Sequence, residues 1–155
     1  MGVKSIFHEL KAKVSPSRLF KALVTESANV VPKFAPHPIK NIEIVGGGAV
    51  QPGCVLQTNF ENGTYMKHKF DAIDTENYLC KYSLIEGDIL GDKFEKISYE
   101  VKFVASEDGG CVIKQNIEHH TKGDVEFNED EIKEQSVGVF KACEQYLAAN
   151  PNVCA

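Results

Sequence analysis

The sequence lacks three features that would each assign it to a broad class of protein. Residues 1–14 contain no long apolar run, which predicts neither a signal peptide nor a membrane span. The five cysteines are odd in number and form no Cys-x-x-Cys pair. Free thiols in the reducing cytoplasm are therefore expected rather than a disulfide framework. No basic run is present, and 17 basic against 22 acidic residues give a net charge of −5. No nucleic-acid partner is expected, because phosphate neutralisation supplies most non-specific affinity.

Length and composition favour one soluble domain covering residues 1–155. The chain has 155 residues, of which 43% are apolar and 25% charged. Such a chain buries enough apolar surface to fold without disulfides or a structural metal. We therefore expect a single ligand-binding domain, active as a monomer and without a cofactor.

The spacing of apolar residues predicts an α+β fold. Residues 6–14 alternate as a strand, Ser15-Pro16 starts a helix, and a second short helix is predicted over 28–34. Turn residues then separate a series of short alternating segments, which predicts consecutive antiparallel hairpins. The predicted strands cover residues 39–45, 55–60, 65–73, 78–86, 95–105 and 112–120.

The C-terminal segment is the clearest helix. Asn128, with Glu131 three residues later, is typical of a helix start, and Asn150-Pro151 ends the pattern. Apolar residues at helical spacing form one face between these points. They are Ile132, Val139, Phe140, Cys143 and Leu147. A long curved sheet wrapped around one such helix need not fill its interior, so a cavity is plausible.

No motif in the sequence assembles a catalytic or metal site. The glycine-rich segment 46–53 lacks the Lys-Ser/Thr that a phosphate-binding loop requires, which favours a hairpin loop. His119 and His120 are adjacent in a strand and point to opposite faces. The acids at 129–131 sit where they complement a helix dipole. We therefore predict no metal and assign no catalytic residue.

Several polar side chains fall on the predicted inward face of the sheet. His8, His68 and His119 alternate with apolar residues, as do Tyr82 and Tyr99. The pattern leaves two interpretations of the histidines open: satisfied core residues or the polar lining of a cavity. The tyrosine hydroxyls need a partner in either case, and a bound ligand would supply one.

The chain resembles the plant pathogenesis-related class ten proteins, the family of the major birch-pollen allergen. The motifs that carry the resemblance span nearly the whole chain in the family's order. They are Gly2-Val3, Leu19-Phe20-Lys21-Ala22, Pro32-Lys33-Phe34-Ala35-Pro36, the glycine-rich loop, the segments 82–88 and 95–98, Asp108-Gly109-Gly110, the segment 120–124, and Glu144-x-Tyr146-Leu147.

The resemblance implies both a fold and a function. The fold is the helix-grip fold: a seven-stranded curved antiparallel sheet around one long C-terminal helix, with two short helices and a large internal cavity. The function is a cytoplasmic, defence-related protein that binds or stores small apolar or amphipathic plant metabolites, such as flavonoids, cytokinins, sterols and phenolics. Two enzymatic alternatives remain in the family, a ribonuclease and a small-molecule cyclase, isomerase or condensing enzyme.

The sequence departs from the family pattern in three places. The glycine-rich loop is one residue longer and begins with Val45 instead of an acid. Leu56 replaces a lysine that, with acids matching Glu95 and Glu144 and the tyrosine matching Tyr146, is the proposed ribonuclease set. The long helix is about three residues shorter, which is less than one turn and should rotate its inner face slightly.

The ligand-binding positions follow partly from the family and partly from strand alternation. By family position they are Leu56, Cys80, Tyr82 and Tyr99. Alternation adds Thr58, Phe60, His68, Phe70, Val101, Gln115 and His119 from the sheet, with Phe140 and Cys143 from the helix. The family's strand order further predicts that His8 and His119 lie close together and that ligand affinity weakens below about pH 6.5 as buried histidines gain protons.

Overall fold

The computed structural model describes residues 2–155, which form seven strands and three α-helices. The strands are β1 (Gly2–Ala12), β2 (Ile39–Ile44), β3 (Val55–Phe60), β4 (Tyr65–Asp74), β5 (Leu79–Gly87), β6 (Phe94–Ala105) and β7 (Cys111–Thr121). The helices are α1 (Pro16–Phe20), α2 (Ser27–Phe34) and α3 (Glu129–Ala149), with a π-helical turn at Lys21–Thr25.

All seven strands belong to one antiparallel sheet, in the order β1-β7-β6-β5-β4-β3-β2. Strands β2 to β7 pair in chain order as the predicted hairpins, and β1 closes the series by pairing with β7. The register shifts between Lys67 and His68 and between Phe70 and Ala72. Such bulges bend a strand and increase its twist. The predicted α+β architecture, a curved sheet against one long C-terminal helix, is confirmed.

Strand β1 differs most from its predicted bounds of 6–14. It begins at Gly2 because residues 2–5 pair with Thr121 to Glu118 of β7, although their side chains are exposed and show no alternation. It ends at Ala12, before the buried Val14. Pairing with β7 therefore extends β1 over residues 2–5, where the apolar–polar pattern of the sequence does not predict a strand.

Both ends of α3 are held by polar contacts. Asn128 caps the first turn, and its side-chain oxygen accepts hydrogen bonds from the backbone N–H groups of Asp130 and Glu131. This confirms the predicted start. Arg18 of α1 donates to the carbonyls of Leu147, Asn150 and Val153 at the other end. None of the helices in the described chain is long and apolar enough to cross a membrane.

Two apolar clusters fill the interior at opposite ends of the sheet. The first contains Leu19, Phe20, Leu56, Phe70, Cys80, Cys111, Phe140, Cys143 and Leu147 among others. The second is smaller and contains Ile6, Leu84, Leu90, Phe94, Ile97 and Ile117. The last ten residues of α3, 140–149, carry its three buried side chains, whereas none of residues 129–139 is buried. Space therefore remains between the sheet and the first half of α3.

Candidate ligand-binding cavity

A cavity of about 620 Å³ lies between the inner face of the sheet and the first half of α3. This volume falls within the range typical of small-molecule sites. Its deep wall comes from buried side chains of the central strands. These include Cys80, Leu84, Val101, Phe103, Gln115 and Ile117, with Val24 and Phe140 from the helices.

The mouth of the cavity is formed where two turns, a loop and α3 approach one another. Exposed residues from all four segments belong to the lining, which indicates that this side faces solvent. They are Pro36 and His37 after α2, Tyr65 at the start of β4, Asp88 and Ile89 after β5, and Gln135 and Gly138 of α3. Asp88 and His37 place a carboxylate and an exposed imidazole at the mouth.

Three aromatic rings form a stack across β4, β5 and β6. Phe70 lies opposite Tyr82, which lies opposite Tyr99. The ring centroids are 5.2 Å apart for Phe70 and Tyr82, and 4.8 Å apart for Tyr82 and Tyr99, with interplanar angles of 19° and 12°. His68 packs edge-on against Tyr82 at 5.6 Å. Cross-strand pairing therefore presents flat aromatic surface and three polar groups to one space.

The polar groups of this stack have no partner within the described protein. Neither the His68 ring nor the hydroxyls of Tyr82 and Tyr99 hydrogen-bonds to another group of residues 2–155. Burial lowers the pKa of His68 to about 4 and raises the pKa of Tyr99 to about 12. The pKa of Tyr82 is also raised, chiefly by burial. At neutral pH all three groups are uncharged and available for hydrogen bonds.

Gln115 is the buried amide of the lining, and its position is fixed from β1. The Gln115 side-chain oxygen and His8 Nε2 lie 2.6 Å apart, across the β1–β7 pair. His8 thus bonds to Gln115 rather than to His119, which lies opposite Lys4. The predicted proximity of His8 and His119 is wrong, because the register separates them by four residues along the ladder.

The structure brings eight of the thirteen predicted ligand-binding positions into the cavity lining. They are Phe60, His68, Cys80, Tyr82, Tyr99, Val101, Gln115 and Phe140. Cys80, Tyr82 and Tyr99 were predicted from family position, Phe140 from the apolar face of the helix, and the other four from strand alternation. Whether each contacts a ligand remains a prediction.

Five predicted positions lie outside the lining. Leu56, Phe70 and Cys143 are packed inside the first cluster. The short Thr58 is buried opposite Met66, whose longer side chain lines the cavity instead. His119 belongs to the far end of β7, next to Phe94 and Phe127 of the second cluster. These residues face inward as predicted, but neighbouring side chains separate them from the cavity.

The residues that sequence reasoning missed are of two kinds. Leu84, Phe103 and Ile117 continue the same inward faces as Tyr82, Val101 and Gln115, and Ile132 and Val139 lie on the predicted apolar face of α3. Extending the alternation along the strands, and the apolar face along α3, would have included them. The mouth residues come from turns and loops whose approach in space has no local signal in the sequence.

The residues proposed for ribonuclease action in the family are not assembled here. Glu95 follows Phe94, which pairs with Thr121 of β7, and Thr121 also pairs with Gly2 at the start of β1. Glu144 accepts a hydrogen bond from the backbone N–H of Lys13, which lies just beyond the other end of β1. Roughly 36 Å of strand, measured along the chain from Gly2 to Lys13, separates these levels. Leu56, in place of the lysine, is buried. The two acids are thus attached at opposite ends of the β1–β7–β6 ladder.

The glycine-rich loop joins β2 to β3 as a hairpin, as the sequence favoured. Gly46, Gly47 and Gly48 all adopt positive φ angles, between 78° and 89°. L-residues rarely occupy this region, so three consecutive glycines are required for this path of the chain. No cluster of three or more potential metal ligands occurs in residues 2–155.

Comparisons with known proteins agree with this architecture. The family model described as "Pathogenesis-related protein Bet v 1 family" matches residues 1–150. The chain is 47% identical over 161 residues to pathogenesis-related protein STH-2 of Solanum tuberosum, covering 100% of both. It is 47% identical over 158 residues to major allergen Pru av 1 of Prunus avium, covering 98% of each. The crystal structure of Ara h 8.0201 superimposes with a TM-score of 0.84 at 36% identity, covering 96% of this chain and 100% of the other.

Proposed function

The chain belongs to the pathogenesis-related protein Bet v 1 family, and from that premise we propose that it binds or stores small, uncharged aromatic plant compounds in its cavity. Flavonoids, cytokinins, sterols and related phenolics are the candidate classes, and the setting is plant defence in the cytosol. The observation that carries the proposal is the 620 Å³ cavity, whose apolar wall includes an aromatic stack with unpaired hydroxyl and imidazole groups.

The charge of the lining favours neutral ligands. No lysine or arginine of residues 2–155 lines the cavity, and its single acid, Asp88, is exposed at the mouth. His68 is neutral at pH 7 because burial lowers its pKa to about 4. An anion that entered would lose hydration without gaining a cationic partner, which costs free energy. A neutral phenol or carbonyl compound instead pairs with Tyr82, Tyr99 and His68.

The expected affinity is moderate. A two-ring ligand that buries ~300 Å² of apolar surface gains ~7 kcal/mol. Association costs at least ~4 kcal/mol, which leaves millimolar binding from apolar contact alone. Each hydrogen bond to the aromatic stack adds ~1 kcal/mol. Micromolar to millimolar binding of several related compounds is therefore expected, rather than tight selection of one.

Catalysis within the cavity is the alternative function, and the pKa values of the groups that line the cavity disfavour it. General acid–base catalysis works best when the pKa of the group lies near the operating pH. His68, with a pKa of about 4, is a weak base, and Tyr99, with a pKa of about 12, is a weak acid. These groups are better suited to hydrogen bonding than to proton transfer at neutral pH.

A matched pair of dyes tests both the cavity and its preference for neutral ligands. N-phenyl-1-naphthylamine is neutral, and 1-anilinonaphthalene-8-sulfonate carries the same rings with an added anion. We expect saturable fluorescence with the neutral dye and at least about tenfold weaker binding of the sulfonate. Absence of saturable binding of either dye would refute the proposed function. Equal affinities would refute the charge argument alone.

A hydroxyl deletion locates the binding site. Tyr82→Phe keeps the ring stack and removes one unpaired hydroxyl, so a hydroxylated flavonoid should bind about fivefold more weakly. Tyr78→Phe is the matched control, since Tyr78 packs on Phe20 outside the lining.

A turnover assay separates storage from catalysis. Formation of product from phenolic or alkaloid precursors above the uncatalysed rate would show that the protein is an enzyme and not a storage protein. Extraction of bound compound from plant tissue, followed by native mass spectrometry, would identify the natural ligand.

A further inference from the structure

The segment that joins β7 to α3, residues 122–128, crosses the end of the sheet as a strap. Only Val125 and Phe127 of this strap are partly buried, and both pack on the second cluster. Polar contacts hold its backbone: Lys4 Nζ donates to the carbonyl of Val125 at 3.1 Å, and the N–H of Lys122 donates to Lys93 at 2.8 Å. The Thr121 hydroxyl also donates to the carbonyl of Gly123 at 3.0 Å. Few apolar contacts therefore keep the strap closed.

His119 lies directly beneath the strap. Its side chain is only 2% exposed, and its ring centroid is 4.5 Å from that of Phe127 and 5.3 Å from that of Phe94. Its Nδ1 atom is completely covered by other residues and has no hydrogen-bond partner within residues 2–155. A polar atom buried in this way destabilises the closed strap, and it does so more strongly when it carries a proton.

We propose that His119 is a pH-sensitive latch, whose protonation releases the strap from the end of the sheet. Both ring nitrogens of an imidazolium are donors, and in the closed strap Nδ1 has no hydrogen-bond partner within residues 2–155. Lifting Phe127 away gives the charged ring access to water. Protonation should therefore shift the strap toward the open state, since only two partly buried apolar side chains anchor it.

The charged groups around His119 come from three elements. Lys4 on β1 holds its ammonium 5.4 Å from the centre of the Phe127 ring, Glu129 lies at the start of α3, and His120 is the neighbour on β7. Strand β6 and the strap itself present the apolar Phe94, Ile97 and Phe127. Burial lowers the pKa of His119, His120 lowers it further, and the Glu129 carboxylate and a backbone hydrogen bond with Lys4 partly oppose this.

The direction of the pH effect follows from this lowered pKa. The ordinary pKa of a histidine exposed to water is about 6.5, and opening of the strap would give His119 that exposure. The closed state binds its proton less well, so its stability is complete above pH 6.5 and is lost as pH falls from there toward the lowered pKa. The opening equilibrium should rise by at most about thirtyfold between pH 7.5 and pH 5.

Release of the strap should also loosen the cavity. Ile132, in the first turn of α3 after the strap, packs against the second cluster and lines the cavity. The latch therefore links pH to the mobility of one cavity wall. It goes beyond the proposed function and does not depend on it, since strap opening is measurable without a ligand.

Hydrogen–deuterium exchange of the unliganded protein tests the latch. After correction for the intrinsic effect of pH, amides of residues 122–132 should exchange at least fivefold faster at pH 5 than at pH 7.5, while central β6 amides should not. His119→Phe keeps an apolar ring beneath Phe127 and should abolish the difference. His120→Gln, on the outer face beside it, should retain the difference. An equal pH response in wild type and His119→Phe would overturn the proposal.

A second measurement needs no variant. NMR titration of the His119 ring in the wild-type protein should give a midpoint below 6.5, and the strap amides should change with the same midpoint. A His119 midpoint at or above 6.5, or strap signals that do not follow the ring, would also overturn the latch. Neither result bears on dye binding, so failure of the latch and failure of the proposed function are distinguishable.

Discussion

The two halves of α3 use the same helix for different purposes. In the second half, Phe140, Cys143 and Leu147 are buried against the first cluster, and Arg18 binds the carbonyls at the end. In the first half no side chain is buried, and Ile132, Gln135 and Val139 border the cavity. One half contributes to stability through packing, whereas the other leaves space for a ligand at the expense of packing. Substitutions in the two halves should therefore have different consequences.

The largest difference should come from deleting apolar volume in each half. Leu147 is fully buried, so Leu147→Ala should lower the free energy of unfolding by about 3 kcal/mol, because it leaves a cavity in a close-packed core. Val139→Ala should cost less than about 1 kcal/mol, since Val139 already borders empty space and alanine favours helix. Urea denaturation measures both changes. Similar losses would contradict the division of the helix.

The cavity beside the first half of α3 should make the stability of the protein depend on pH, through His68 of β4. The pKa of His68 falls from 6.5 to about 4 on folding, because burial disfavours the charged ring. Its neutral form stabilises the protein fully above pH 6.5, and this is lost as pH falls from 6.5 toward 4. The loss amounts to as much as about 3 kcal/mol, and less where water in the cavity screens the charge.

The comparison of wild type with His68→Gln isolates this contribution. Carboxylates titrate near the lower end of the same range, so only the difference between the two unfolding curves is informative. That difference should shrink steadily from pH 7 to pH 4.5. A constant offset between wild type and variant would show that His68 is not buried in its neutral form.

The anchor at the end of α3 should contribute less than core packing. Arg18 places a charge-assisted donor on three carbonyls and complements the negative end of the helix dipole. Arg18→Gln should therefore lower the unfolding free energy by about 2 kcal/mol. Arg18→Lys keeps the charge but loses the planar fork, so it should recover only part of the loss. Full recovery by lysine would indicate that charge alone matters.

The same division explains what could be predicted from sequence. Alternation along β5, β6 and β7 placed Tyr82, Tyr99 and Gln115 on the inner face, since strand side chains have a fixed period of two. Alternation also placed His119 and Thr58 inward. It could not decide which inward residues border space and which are covered, because that depends on how α3 and the strap pack. The side chain that covers each position is a long-range property.

The residues that form the mouth of the cavity could not be predicted from the sequence, for a related reason. Pro36, Tyr65, Ile89 and Gln135 come from four segments that are distant in the chain. Each is exposed, so no burial pattern marks it, and their approach depends on the curvature of the whole sheet. The shape of the sheet in turn follows from bulges in β4 and β6 that turn residues do not signal.

The smallest expected effect concerns the cap at the start of α3. It is also the most direct comparison of local stability between the two halves of the helix. Asn128 accepts hydrogen bonds from the N–H groups of Asp130 and Glu131 at 2.9 and 3.3 Å. Asn128→Ala should cost about 1 kcal/mol. Because no buried side chain holds this half, the loss should appear as faster amide exchange confined to the first turns.

Asn150→Ala is the matched change at the other end. It removes the hydrogen bond from the Asn150 amide to the carbonyl of Tyr146, yet Arg18 still binds the adjacent carbonyls and Leu147 stays buried. Exchange in the last turns of α3 should therefore change less than exchange at the start in Asn128→Ala. If the C-terminal turns loosened more, buried packing would not be what distinguishes the two halves, and the open space beside residues 129–139 would need another explanation.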